Sequence, residues 1–135
     1  MNRCASLVLA LTLAAAASAH AGTSTTTDNQ ALQRNFPKNA LRGTIVFGAP
    51  PAIALNGVST QLAPAYRVHG FNNLIVMSAQ LAGLKATVDY TTDLQGQVYE
   101  VWILTSAEAA KTWPVTAAQA AAWSFDPITQ VWTKP

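Results

Sequence analysis

The sequence predicts a mainly β fold, a compact antiparallel barrel or sandwich of about seven short strands followed by one or two short helices. Three observations carry this. Between Leu41 and Leu104, runs of four to nine residues rich in Val, Ile, Thr and Tyr alternate with Gly, Pro and Asn breaks. The breaks are too close together for helical crossovers, which argues against a parallel sheet. After Thr105 the pattern changes to alanine-rich stretches preceded by capping residues.

The elements follow in order. Leu41 to Phe47, "LRGTIVF", is the first strand, closed by Pro50-Pro51. Asn56-Gly57 suits the two positive-φ positions of a type I′ turn, so Ala52 to Leu55 and Val58 to Leu62 form a tight hairpin. Pro64 ends it, and Tyr66 to His69 begins another strand. Gly70-Phe71-Asn72-Asn73 then turns into Leu74 to Ser78, "LIVMS", an apolar run that reads as a buried central strand. Gly83 precedes "KATVDYTT" (Lys85 to Thr92), the loop Asp93 to Gly96 follows, and Gln97 to Thr105 is the last long strand. Thr105 with Glu108, and Thr116 with Gln119, mark the starts of two short helices. Asp126-Pro127 is a turn within the aromatic tail.

Ahead of this domain the chain carries an address. A basic start at Arg3, the apolar run Ala5 to Ala17 and the small-x-small pattern of "ASAHA" predict a signal peptide over residues 1–21. The run is shorter than the roughly 20 residues that span a bilayer, so no transmembrane segment follows cleavage. Residues 22–35 read as a flexible polar leader, and residues 36–135 as a single domain. The expected location is the periplasm, or the exterior if the chain is secreted. Removing Arg3 leaves seven basic against six acidic residues, a balance that excludes nucleic acid as a partner. Cys4, the only cysteine, falls within the predicted signal peptide, so no disulfide is expected.

Chemistry is sparse. Arg67 and His69 share one strand face in "YRVHGFNN", with Tyr66 and Val68 turned to the core, and form a candidate cationic spot for a carboxylate or phosphate. If Thr92 sits opposite Gln97, Asp89 faces Glu100 across a hairpin, a repulsive pair that solvent, a cation or another register must relieve. With His69 these carboxylates are the only candidates for acid–base work, and their spacing matches no standard metal site, so neither metal nor cofactor is expected. Trp102 is assigned to the core, while Trp113, Trp123 and Trp132 are candidate interface residues. The phrases "FPKNALRGTI", "LAPAYRVHGFNN" and "EVWILTSAEA" resemble small exported proteins of Gram-negative bacteria that have no assigned activity. The resemblance implies a periplasmic setting and a compact β domain, and no site residue. The reading that results is a binding domain for a protein or small ligand of the cell envelope, with self-association through an open sheet edge also in view. An enzyme using Asp89, Glu100 or His69, and an envelope-accessory role without a ligand, are the alternatives.

Overall fold

The computed structural model describes residues 33–135; the predicted signal peptide and leader residues 22–32 lie outside the described residues. The described chain is mainly β. Five strands close a barrel: β1 (Leu41–Phe47), β2 (Ala52–Leu55), β3 (Val58–His69), β4 (Lys85–Thr92) and β5 (Val98–Ile103), in the order β1-β2-β3-β5-β4. The strands β4-β1-β2-β3 lie side by side as a Greek key, and β5 fills the gap between β3 and β4. Five-stranded Greek-key barrels are the architecture of OB-folds. Such a scaffold hosts unrelated functions, so function has to be argued from side chains.

One pairing corrects the expectation of a wholly antiparallel sheet: β3 and β5 are parallel. The reason is arithmetical. Around a closed ring of five strands, direction cannot reverse at every junction, and one neighbouring pair must run the same way. The other four pairs are antiparallel. Closure also gives each of the five strands a neighbour on both sides.

The Asn56-Gly57 turn forms as predicted, with φ of 52° and 82°. The Asn56 side chain adds to it by accepting a bond from the Thr44 amide at 2.9 Å. Pro64, expected to break a strand, instead sits inside the continuous β3, where the register shifts between Leu62 and Arg67. There β3 leaves β2 and takes up β5, so a residue without an amide proton interrupts no regular ladder. Alternate residues fill the barrel: Ile45, Phe47, Ile53, Leu62, Val68, Val88, Val101 and Ile103 form one buried core.

A larger correction concerns "LIVMS". It is no buried strand: Leu74, Ile75 and Met77 are exposed, and the segment keeps one isolated bridge, Ile75 to His69. Five strands already close the barrel, so no place remains for a sixth. A single 3-10 turn, Ser78–Leu81, leads from this loop to β4.

The carboxy-terminal region packs on the outside of the barrel. It comprises α1 (Ser106–Ala110), α2 (Ala117–Ala122) and the hairpin of β6 (Ser124–Asp126) with β7 (Val131–Thr133). The predicted capping box of Thr105 and Glu108 is present in full. Thr116 caps α2 alone, because the Gln119 side-chain Oε1 accepts from the Val115 amide rather than from that of Thr116. A second core forms here from Phe36, Ala40, Trp102, Leu104, Trp113 and Trp132. The fold therefore begins before Phe36: Arg34, assigned to the leader, is buried and bonded into this layer.

Candidate functional site

On the outer face, where β3, β5, β4 and β1 lie side by side, one row of residues crosses four strands. His69 pairs in register with Trp102, Trp102 with Asp89, and Asp89 with Arg42. The strand alternation that turns Val68, Val101 and Val88 into the barrel turns these four outward. The two ends of the row differ. Toward β1, the face is sealed by α1. Toward β3, it opens at the strand end where the chain enters the exposed loop.

At the sealed end Asp89 is fully buried, and Arg42 donates to it from Nε at 2.6 Å. The same guanidinium donates to the carbonyls of Ala109 and Lys111 at the end of α1, at 3.1 and 2.9 Å. Burial raises the Asp89 pKa above the usual carboxylate value, and the bond and charge of Arg42 only partly offset it. Arg34 is a second buried cation. It pairs with Glu108 (Nε to Oε1, 2.9 Å) and donates to the carbonyls of Gly70 and Ile103, both at 2.7 Å. Burial opposes ionisation of Glu108, but bonds from Arg34 and from the Thr105 amide outweigh it and hold the carboxyl below its ordinary pKa. Sequence reasoning missed Arg34 and Arg42. The one signal pointing to them is negative: a half-buried capping-box glutamate and an outward aspartate covered by a helix each call for a cation.

At the open end His69 stacks flat on Trp102, with ring centroids 5.4 Å apart and planes 8° from parallel. Its Nε2 lies 2.8 Å from Glu100 Oε1. The predicted opposition of Asp89 and Glu100 does not occur. Thr92 pairs with Val98, the register shifts again at Thr91, and Glu100 falls opposite Thr91 while Asp89 falls opposite Trp102. Each carboxylate thus has its own partner, Arg42 for Asp89 and His69 for Glu100, and the two do not converge. Arg67 shares the outer face, as predicted, but is exposed and has no ion-pair partner among the described residues.

The candidate interface tryptophans divide. Trp113 and Trp132 are buried at 5% and 4% exposure, packed edge-on to each other, and Trp113 donates to the Ala40 carbonyl at 2.9 Å. They are core, not interface. Trp123 is half-buried with the Lys134 ammonium over its ring. Trp102 is buried as expected, in the outer layer rather than in the barrel.

Exposed apolar side chains are scattered elsewhere, Leu94 and Ile128 among them, but four of them gather on the β3–β4 loop. Phe71, Leu74, Ile75 and Met77 are 64%, 65%, 57% and 67% exposed. The loop is ordered by its own bonds: Gly70 N to Leu74 O, Asn73 N to Gly70 O and Val76 N to Val68 O, at 2.9, 3.0 and 2.8 Å. The Asn72 side chain accepts from the Leu74 amide, and Asn73 takes a positive φ of 64°. Arg34, through the Gly70 carbonyl, ties the loop base to α1.

Among the described residues no three metal-ligating side chains gather, and no helix is long and apolar enough to cross a membrane. Grooves of about 470, 550 and 700 Å³ are lined by other residues, along β1–β3, beside α2, and around Pro127. Comparison with known protein families, with curated proteins and with solved structures gives no match.

Proposed function

We propose that this chain is a non-catalytic binding domain of the cell envelope, exported to the periplasm or secreted, that engages its partner through the β3–β4 loop. The observation that carries this reading is the loop itself: four large apolar side chains held outward on a backbone that is bonded internally. Large exposed apolar groups gathered on one ordered segment mark an interaction surface more often than scattered ones do. The order matters, because a pre-organised loop loses little conformational freedom on docking. Catalysis is the weaker reading: Asp89 is sealed beneath α1 against Arg42, and Glu100 is held apart from it by His69.

The test is photo-crosslinking in the producing cell, with Phe71→p-benzoylphenylalanine at the loop and the same substitution at Ser59, on a different part of the barrel, as control. An adduct at position 71 and none at position 59 is the expected result. Unmodified chain at both positions overturns the docking reading. The intact mass of the purified chain checks export separately, through loss of the residues up to Ala19 or Ala21.

A further inference from the structure

We propose that the β3–β4 loop is a membrane-surface anchor. Phe71, Leu74, Ile75 and Met77 enter the interfacial layer of a bilayer bearing anionic headgroups, and Arg67 and Lys85 meet the phosphates. This rests on the reading of the loop as a docking surface and names what it docks on.

Charge is the first argument. No Asp or Glu occurs between Asp28 and Asp89, a stretch that contains β1, β2, β3 and the whole loop. Asp89 itself is buried against Arg42. The two carboxylates near the loop base, Glu100 and Glu108, are held by His69 and Arg34. Within that long stretch the exposed charges beside the loop are cations: Arg67 on β3 leading into it, and Lys85 where β4 leaves it. Because β4 runs antiparallel to β5, and β5 parallel to β3, Lys85 lies at the same end of the barrel as the loop. Projecting apolar side chains bordered by cations complement a surface that is apolar at the acyl boundary and negative at the headgroups.

The backbone is the second argument. A segment entering the interfacial layer gives up part of its water, so amides already bonded within the protein lower the cost of entry. Those of Gly70, Asn73, Leu74 and Val76 are so bonded, and Arg34 serves the Gly70 carbonyl. The amides of Phe71, Asn72, Ile75 and Met77, without a partner among the described residues, are left to the water and headgroup oxygens of that layer. A second copy of this chain is a poorer occupant, since two identical loops would bring the Arg67 and Lys85 of each copy together, and Glu100, the carboxylate in register with Arg67, is already held by His69.

The test is vesicle co-sedimentation of the exported chain. The vesicles are phosphatidylethanolamine with phosphatidylglycerol, or phosphatidylcholine alone. Wild type is expected to sediment with the anionic vesicles. The triple variant Leu74→Ser, Ile75→Ser, Met77→Ser should bind at least about tenfold more weakly. Arg67→Gln and Lys85→Gln should each weaken binding to anionic vesicles about fivefold and leave phosphatidylcholine unaffected. Should the triple variant fail to melt cooperatively, Met77→Asp alone serves in its place. Wild type that stays in the supernatant overturns the proposal. So does a triple variant that sediments like wild type, because binding then arises elsewhere in the chain. Loop-dependent dimers without vesicle binding would make a second copy the occupant and overturn it too. A protein adduct at position 71 together with no vesicle binding overturns the lipid assignment while the docking reading stands.

Discussion

Arg42 on β1 and Asp89 on β4 are register partners on the outside of the barrel, yet Asp89 is fully buried and the pair is 2.6 Å apart. The ion pair is enclosed because α1 lies over it, and Arg42 holds α1 there by donating to carbonyls at its end. One side chain thus neutralises a buried carboxylate and fastens the cap to the barrel.

Arg42→Ala should therefore be severe. It strands a buried carboxylate, a change that costs about 3–5 kcal/mol at neutral pH. The pH dependence has a definite sign. A carboxyl whose folded pKa is raised takes up a proton on folding, so the variant should regain stability as pH falls through that raised value. Urea melts of wild type and variant at pH 7 and near pH 5 check this: a loss that does not shrink on acidification would show that α1 docking, not the charge, is what was removed.

Glu108 has the opposite sign. Its folded pKa is lowered, so its contribution is present above the ordinary glutamate value of about 4.3 and is lost as pH falls through the depressed value. Glu108→Gln should destabilise by about 2 kcal/mol at pH 7, the scale of a hydrogen bond to a charged group. The two stability curves should converge as pH falls through that depressed value. Parallel curves across the whole range would mean that the lost capping geometry, rather than the charge, sets the difference.

At the Asn56-Gly57 turn, a Cβ on Gly57 would meet nothing within 4 Å, so Gly57→Ala isolates the backbone term. With φ at 82°, the variant should lose about 1–2 kcal/mol. A thermal melt indistinguishable from wild type would mean that the turn relaxes to another type.

What was legible in the sequence follows from how local the determinants are. The type I′ turn, the capping box of Thr105 and Glu108 and the Asp126 turn depend on residues a few positions apart, and each forms. The inward set of β1, β3, β4 and β5 follows from alternation. Register did not follow, because the Asp93–Gly96 loop opens with Thr92 opposite Val98 and a second shift at Thr91 moves Glu100 past Asp89. The fate of Leu74 to Met77 depended on barrel closure, which no local pattern reports. Their apolar character was plain; that no partner strand remained for them was not. Arg34 and Arg42 act across 74 and 47 positions of sequence, beyond the reach of spacing arguments.

At the open end the His69 ring touches three things at once: the Trp102 face, the Glu100 carboxylate and, at 3.4 Å, the Asn73 carbonyl of the loop. The loop's own ladder does not use the ring, since Val76 bonds to the Val68 carbonyl and Ile75 bridges the His69 backbone. His69→Ala should then destabilise by about 1–2 kcal/mol through the lost stack and hydrogen bond. A double-mutant cycle with Glu100→Ala should return a coupling of about 1 kcal/mol. His69→Phe separates the two parts, keeping the stack and removing the bond to Glu100. Amide exchange at Val76 is the decisive readout. Protection equal to wild type in His69→Ala means that the loop is held by its backbone and by Arg34. Fast exchange there would mean that the His69 ring props the loop, and would make the His69–Glu100 pair part of the docking surface rather than its neighbour.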